Sequence, residues 1–131
     1  MKLVIGAAGV PVGDYTRTVL AALDATQGAG YSAGVMKNVV SEEQNVKGIV
    51  AKLASGDADA GFVYVTDVKA AGSSLHAIDI PPSAKPTATY PIGVVAGSAN
   101  KDLAGRWVSF VLSPEGQQLL TDAGFGAAPS P

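Results

Sequence analysis

Strand-like and helix-like stretches alternate along this chain. Lys2-Leu3-Val4-Ile5 is short, apolar and β-branched, the pattern of a strand buried on both faces. Beyond Val10-Pro11 the spacing turns helical. Tyr15, Val19, Ala22 and Leu23 share one face of a helix expected to run to about Ala25 and to stop near Gly28. The Gly-rich stretch from Gly28 to Lys37 has no clear period, and Asn38-Val39-Val40 reads as a short strand. Val46, Ile49, Val50 and Leu53 fall at i, i+3, i+4 and i+7, a helix with one buried face that Gly56 ends. Its start has two candidates, a capping box at Ser41-Glu42-Glu43-Gln44 or an N-cap at Asn45.

Further strands are expected at Ala60–Val65, at Leu75–Ile80 with one wet face, and at Thr89–Val95; Pro81, Pro82 and Pro86 mark an extended loop between the last two. Lys101–Leu112 is an amphipathic helix through Leu103, Trp107, Phe110 and Val111. Ser113-Pro114-Glu115 starts another, and Gly124-Phe125 closes it. No internal repeat shows. Alternation of this kind predicts an α/β fold, a three-layer sandwich around a mainly parallel sheet. One lobe over residues 1–125 with a flexible tail over 126–131 is the expected organisation.

Composition narrows the function. Of 131 residues, 47% are hydrophobic and 15% charged, which excludes a disordered chain. No apolar run spans a bilayer, and Met1–Gly6 is too short for a signal peptide. Net charge is −2 and the 9 basic residues are scattered, so no basic stripe for nucleic acid exists. With no cysteine, disulfides, thiol catalysis and Cys-ligated zinc are excluded.

The richest segment chemically is Val10-Pro11-Val12-Gly13-Asp14-Tyr15-Thr16, where a strand turns through Gly and Pro into a helix. Unpaired N–H groups and the positive end of the dipole make such a start an anion site, although most βα loops bind nothing. The turn itself holds no basic residue. His76, the single histidine, is expected to be structural or exposed, and Asp57 and Asp59 to be solvated loop carboxylates. Glu42 and Glu43 are expected to favour a helix N-terminus, Trp107 to lie in the core and Tyr64 to be structural. Tyr90, taken alone, reads as packing. Neither a Walker loop nor GxGxxG is present, so nucleotide binding lacks support.

Three ordered blocks carry a resemblance. The first is Val10–Thr16; the second is Glu43-Gln44-Asn45-Val46-Lys47 continued by Gly56–Asp67. The third is Tyr90–Ser98, with Leu112-Ser113-Pro114-Glu115-Gly116-Gln117 and Gly124-Phe125 behind it. Together they resemble the second lobe of the periplasmic molybdate-binding proteins, the solute receptors of ABC importers; the family's first lobe has no counterpart here. The resemblance implies one lobe of a type II periplasmic-binding-protein fold, located in the periplasm or extracellular envelope. It implies an oxyanion, molybdate or tungstate, held by neutral donors without a cofactor or resident metal. Carried onto matching positions, those donors are the backbone N–H of Val12, the backbone N–H of Val63 and the phenol of Tyr90. Position 12 is often smaller in the family, so Val12 is expected to narrow the pocket.

Neutral donors suit a fully deprotonated dianion, which accepts at every oxygen. Discrimination then rests on size, and tungstate is hard to tell from molybdate. The implied partner is the transporter's membrane component, and no catalysis is expected. Three charge-assisted hydrogen bonds, each contributing about 1.5–3 kcal/mol, barely offset immobilising a half-hydrated dianion, so binding by this lobe alone is expected to be weak. The alternative is a single-lobe interaction protein that forms a homodimer through the surface a first lobe otherwise covers. An enzyme acting on an anionic small molecule is a third reading, without a base–nucleophile pair to support it.

Overall fold

In the computed structural model, which describes residues 1–128, the first strand forms where the apolar run places it. Strand β1 (Leu3–Gly6) is buried along its whole length. It lies between β2 (Val39–Glu43) and β3 (Ala60–Gly61), and both pairings are parallel. A strand buried on two faces and paired on two edges has no polar task, which is why Leu-Val-Ile suffices. Helix α1 (Pro11–Gln27) follows β1, α2 (Tyr31–Met36) precedes β2, and α3 (Val46–Ser55) joins β2 to β3. The mainly parallel α/β architecture is thus as expected.

Two compact units divide the chain. The first, Met1–Thr87, contains the sheet and α1 to α4, where α4 is Val65–Ala71. Its core is Val4, Val12, Ile49 and Ala58, with Val10, Val46, Leu53, Val63 and Tyr64 packed around it. Alternation sends Leu3 and Ile5 to the other face of β1, where they are also buried. A 3₁₀ turn at Pro82–Ala84 packs on α1 and buries Ala84.

The second unit, from Ala88 on, contains α5 (Lys101–Leu112) and α6 (Pro114–Asp122). Ser113 caps α6 by accepting from the Gly116 N–H, as the Ser-Pro-Glu signal requires. Gly116 is buried where the chain turns back: a β-carbon there would stand 2.2 Å from the Phe110 carbonyl oxygen. Residues 126–128 of the expected tail have no regular structure, and 129–131 lie outside the described residues.

Several expectations need correction. The strand expected at Ala60–Val65 is cut to Ala60–Gly61 because α4 already begins at Val65. The Asp67 carboxylate accepts from the Tyr64 N–H at 3.1 Å, and that contact pulls the backbone into a helix start. Leu75–Ile80 and Thr89–Val95 form no strands. Alternation gives a face but not a partner: Ile78 is 88% exposed, Pro91 withholds a donor, and no strand among the described residues lies alongside. Trp107 is no core residue but 60% exposed, stacked on Phe110 with ring centroids 5.6 Å apart. Leu103 beside it on α5 is exposed as well, so the apolar face of α5 is not covered by α6.

Ser41–Glu43 belongs to β2, so the start of α3 falls to Asn45, whose side chain accepts from the Gly48 N–H at 3.0 Å. Glu42 pairs with Arg17 and not with that helix start, whereas the Glu43 carboxylate lies beside the first turn of α3, its Oε2 2.9 Å from where a β-carbon on Gly48 would stand, as expected of an acid at a helix N-terminus. Glu43 also accepts from the Ser41 hydroxyl and from Lys52, which reaches Ser41 at 2.6 Å as well. Lys52 and Ser41 hold the Glu43 carboxyl below the ordinary glutamate range. A carboxyl depressed on folding stabilises above its unfolded pKa and loses that contribution as pH falls through the folded value. Removing Lys52 as Lys52→Met is therefore expected to return Glu43 toward the ordinary value in a carboxyl NMR titration. The stability gap between variant and parent should close in acid; a gap independent of pH would contradict this account.

Candidate functional site

The turn between β1 and α1 is built from close backbone packing. A β-carbon on Gly13 would lie 2.1 Å from the Ala7 carbonyl oxygen and 2.4 Å from that of Gly6. The residues that leave β1 and enter α1 therefore touch main chain to main chain. Gly9 takes a positive φ of 78°, open to glycine, and its N–H donates to the Asp14 carboxylate at 2.9 Å. Pro11 occupies the first helical turn, and the first N–H bonded back along α1 is that of Asp14, to Val10. The Val12 N–H enters no turn, loop or cap bond among the described residues. It is one of the free donors that a helix start leaves.

Val12's side chain points into the core, 4% exposed against Val4, Ile49 and Ala58. The extra methyls thus fill the interior and do not narrow a pocket. Val63 lies between β3 and α4, and its side chain packs against the same cluster. Its N–H likewise enters no turn or cap bond among the described residues. The flanking rings meet as well: Tyr15 on α1 and Tyr64 stand edge to face, 6.4 Å between centroids. Two segments far apart in sequence, each with an amide donor, are thereby brought alongside at one end of the sheet. Tyr64 is structural, as expected.

Tyr90 belongs to the second unit and is described there alone. It is 63% exposed, and its ring stands edge to face against Phe125, 5.8 Å between centroids. Its hydroxyl makes no hydrogen bond to any described residue.

One side chain at the turn escaped the sequence reading. Arg17 sits a helical turn beyond Gly13, and its guanidinium donates to the carbonyls of both Gly6 and Gly13 at 3.0 Å. It also pairs with Glu42 on β2 at 3.2 Å. The i−4 reach to Gly13 is visible in the spacing, but nothing local announces Gly6 or Glu42.

The remaining polar residues are occupied locally or exposed. Asp59 accepts from the Lys2 N–H at 2.6 Å, Asp57 accepts from Ser55 at 2.8 Å, and His76 is exposed. Among the described residues no cluster of three or more His, Cys, Asp or Glu side chains is placed to hold a metal ion. No helix among them is long and apolar enough to cross a membrane.

The family model described as bacterial extracellular solute-binding protein matches residues 1–126. Among curated proteins, the molybdate-binding protein ModA of Mycobacterium bovis is 31% identical over 125 residues, covering 95% of this chain and 44% of its own length. The molybdate-binding proteins ModA of two Mycobacterium tuberculosis strains match to the same extent. The chain thus spans less than half the length of the curated relatives it matches. No solved structure matches. The chain belongs to the bacterial extracellular solute-binding proteins, a family that binds solutes and does not transform them.

Proposed function

We propose that this chain supplies part of the oxyanion site of a molybdate or tungstate receptor serving an ABC importer. The donors argued from the first unit are the N–H groups of Val12 and Val63, and the phenol of Tyr90, in the second unit, is added on the family resemblance alone. The observation that carries the reading is the convergence of Val12 and Val63 on one apolar cluster, with their amides uncommitted. The likeness to molybdate-binding proteins along 95% of the chain supports the choice of ligand. All three donors are neutral, and a tetrahedral dianion offers only acceptors, so the chemistry is complementary. The place of action is the periplasm or extracellular envelope, and the partner is the importer's membrane component. A homodimeric interaction protein is the weaker reading; the exposed Leu103, Trp107 and Phe110 on α5 are the surface it would use.

Three charge-assisted hydrogen bonds, less the cost of immobilising a dianion, leave an affinity in about the millimolar range. Titrating the ¹⁵N-labelled chain with sodium molybdate is expected to shift the Val12 and Val63 amides and the Tyr90 ring together, saturably. Tungstate should act alike and sulfate less. Shifts confined to other residues would overturn the site. Micromolar affinity by calorimetry would overturn the three-donor estimate.

A further inference from the structure

Both terminal nitrogens of Arg17 are committed. Its Nη1 donates to the carbonyl of Gly6, the last residue of β1, and to that of Gly13, in the first turn of α1. Its Nη2 donates to both carboxylate oxygens of Glu42 at 3.2 Å. One planar group therefore ties the central strand, the helix start and the neighbouring strand together. A guanidinium has the fixed fork for this task, whereas a lysine ammonium is a point donor on a flexible stem.

The charges are as informative as the geometry. A lone guanidinium beside a helix N-terminus would add to the positive end of the dipole and attract any anion. Glu42 lies against it and cancels that charge. Asp14, the other carboxylate at this turn, accepts from the Gly9 N–H.

We propose that Arg17 is a positioning residue for the anion site and that Glu42 is its neutralising partner. By tying the Gly13 carbonyl to that of Gly6, Arg17 holds the first turn of α1, with its Val12 and Gly13 N–H groups, in place against the end of β1, and Glu42 keeps the site from binding anions by charge alone. Selection is then left to the spacing of neutral donors. This rests on the oxyanion reading above, but its first test needs no ligand.

Backbone ¹⁵N relaxation on the full chain should give Val12 and Gly13 order parameters of about 0.85, the rigid range. In Arg17→Gln and Arg17→Lys these should fall toward about 0.6, while Val4 and Ile49 stay unchanged. Rigid Val12 and Gly13 amides in a folded Arg17 variant would overturn the positioning role. If Arg17→Gln does not fold, Arg17→Lys decides. In Glu42→Gln, sulfate at low ionic strength should shift the Val12 amide at about threefold lower concentration than in the parent, an advantage that added salt removes. An equal sulfate response in both proteins would overturn the neutralising role. A parent chain that ignores molybdate would defeat the oxyanion reading and leave the relaxation result standing.

Discussion

Gly13→Ala is expected to destabilise the chain by about 3 kcal/mol or more, a large part of the 5–15 kcal/mol that keeps an ordinary domain folded. Torsion is not the reason, since Gly13 is absent from the glycines with positive φ. Space is. The new β-carbon would stand 2.1 Å from the Ala7 carbonyl oxygen and 2.6 Å from the Gly6 carbonyl carbon, and main-chain atoms cannot swing aside. Any relief must separate α1 from β1, which also breaks the double acceptance of Arg17 by Gly6 and Gly13. Gly105→Ala in α5 is the matched control: nothing lies within 4 Å of its added β-carbon, and the gain in helix propensity should stabilise by about 0.5–1 kcal/mol. Urea denaturation of both variants checks the contrast. A Gly13→Ala loss below about 1 kcal/mol would mean that the turn is looser than described.

Ile49→Ala is expected to cost about 2–5 kcal/mol, with Ile49→Val near 1 kcal/mol. Ile49 is fully buried and packs from α3 onto Val4 and the underside of the β1–α1 turn through Val12. Its Cγ2 would come within 2.9 Å of a β-carbon on Gly61, so it fills the space against β3 as well. Neighbours held by a sheet cannot collapse into the void, which places the loss toward the upper end of the range. The signature in denaturation is a lower midpoint at unchanged slope. A cost under about 1 kcal/mol would show that the cluster repacks freely.

The first half of the fold was legible because its signals are local. A β-branched run made β1, helical spacing made α1 and α3, and the two residues offered for the start of α3 included the one used, Asn45. Ser113-Pro114 was likewise read correctly as a helix start. What failed was whatever depends on a partner. Leu75–Ile80 and Thr89–Val95 alternate like strands, yet a ladder needs a neighbour that one segment cannot reveal. Trp107 had helical spacing for a core that two helices do not provide. Glu42 was assigned to a nearby helix start, but its partner, Arg17, comes from α1; Glu43 does lie beside the start of α3 and pairs with Lys52 of that same helix. Of the candidate site, Val12 was legible as a helix-start donor. Its closeness to the segment carrying Val63 was not, because it depends on the tertiary meeting of Tyr15 with Tyr64.

The order of strands in the sheet has a consequence for synthesis. β1 is made before β2 and β3 but sits between them, and its partners begin at Val39 and Ala60. Leu3-Val4-Ile5 must therefore wait, apolar and without a ladder, until the stretches that begin at Val39 and Ala60 have been made. An apolar segment left open for that interval is a natural opening for a holdase and, in crowded expression, a place for self-association.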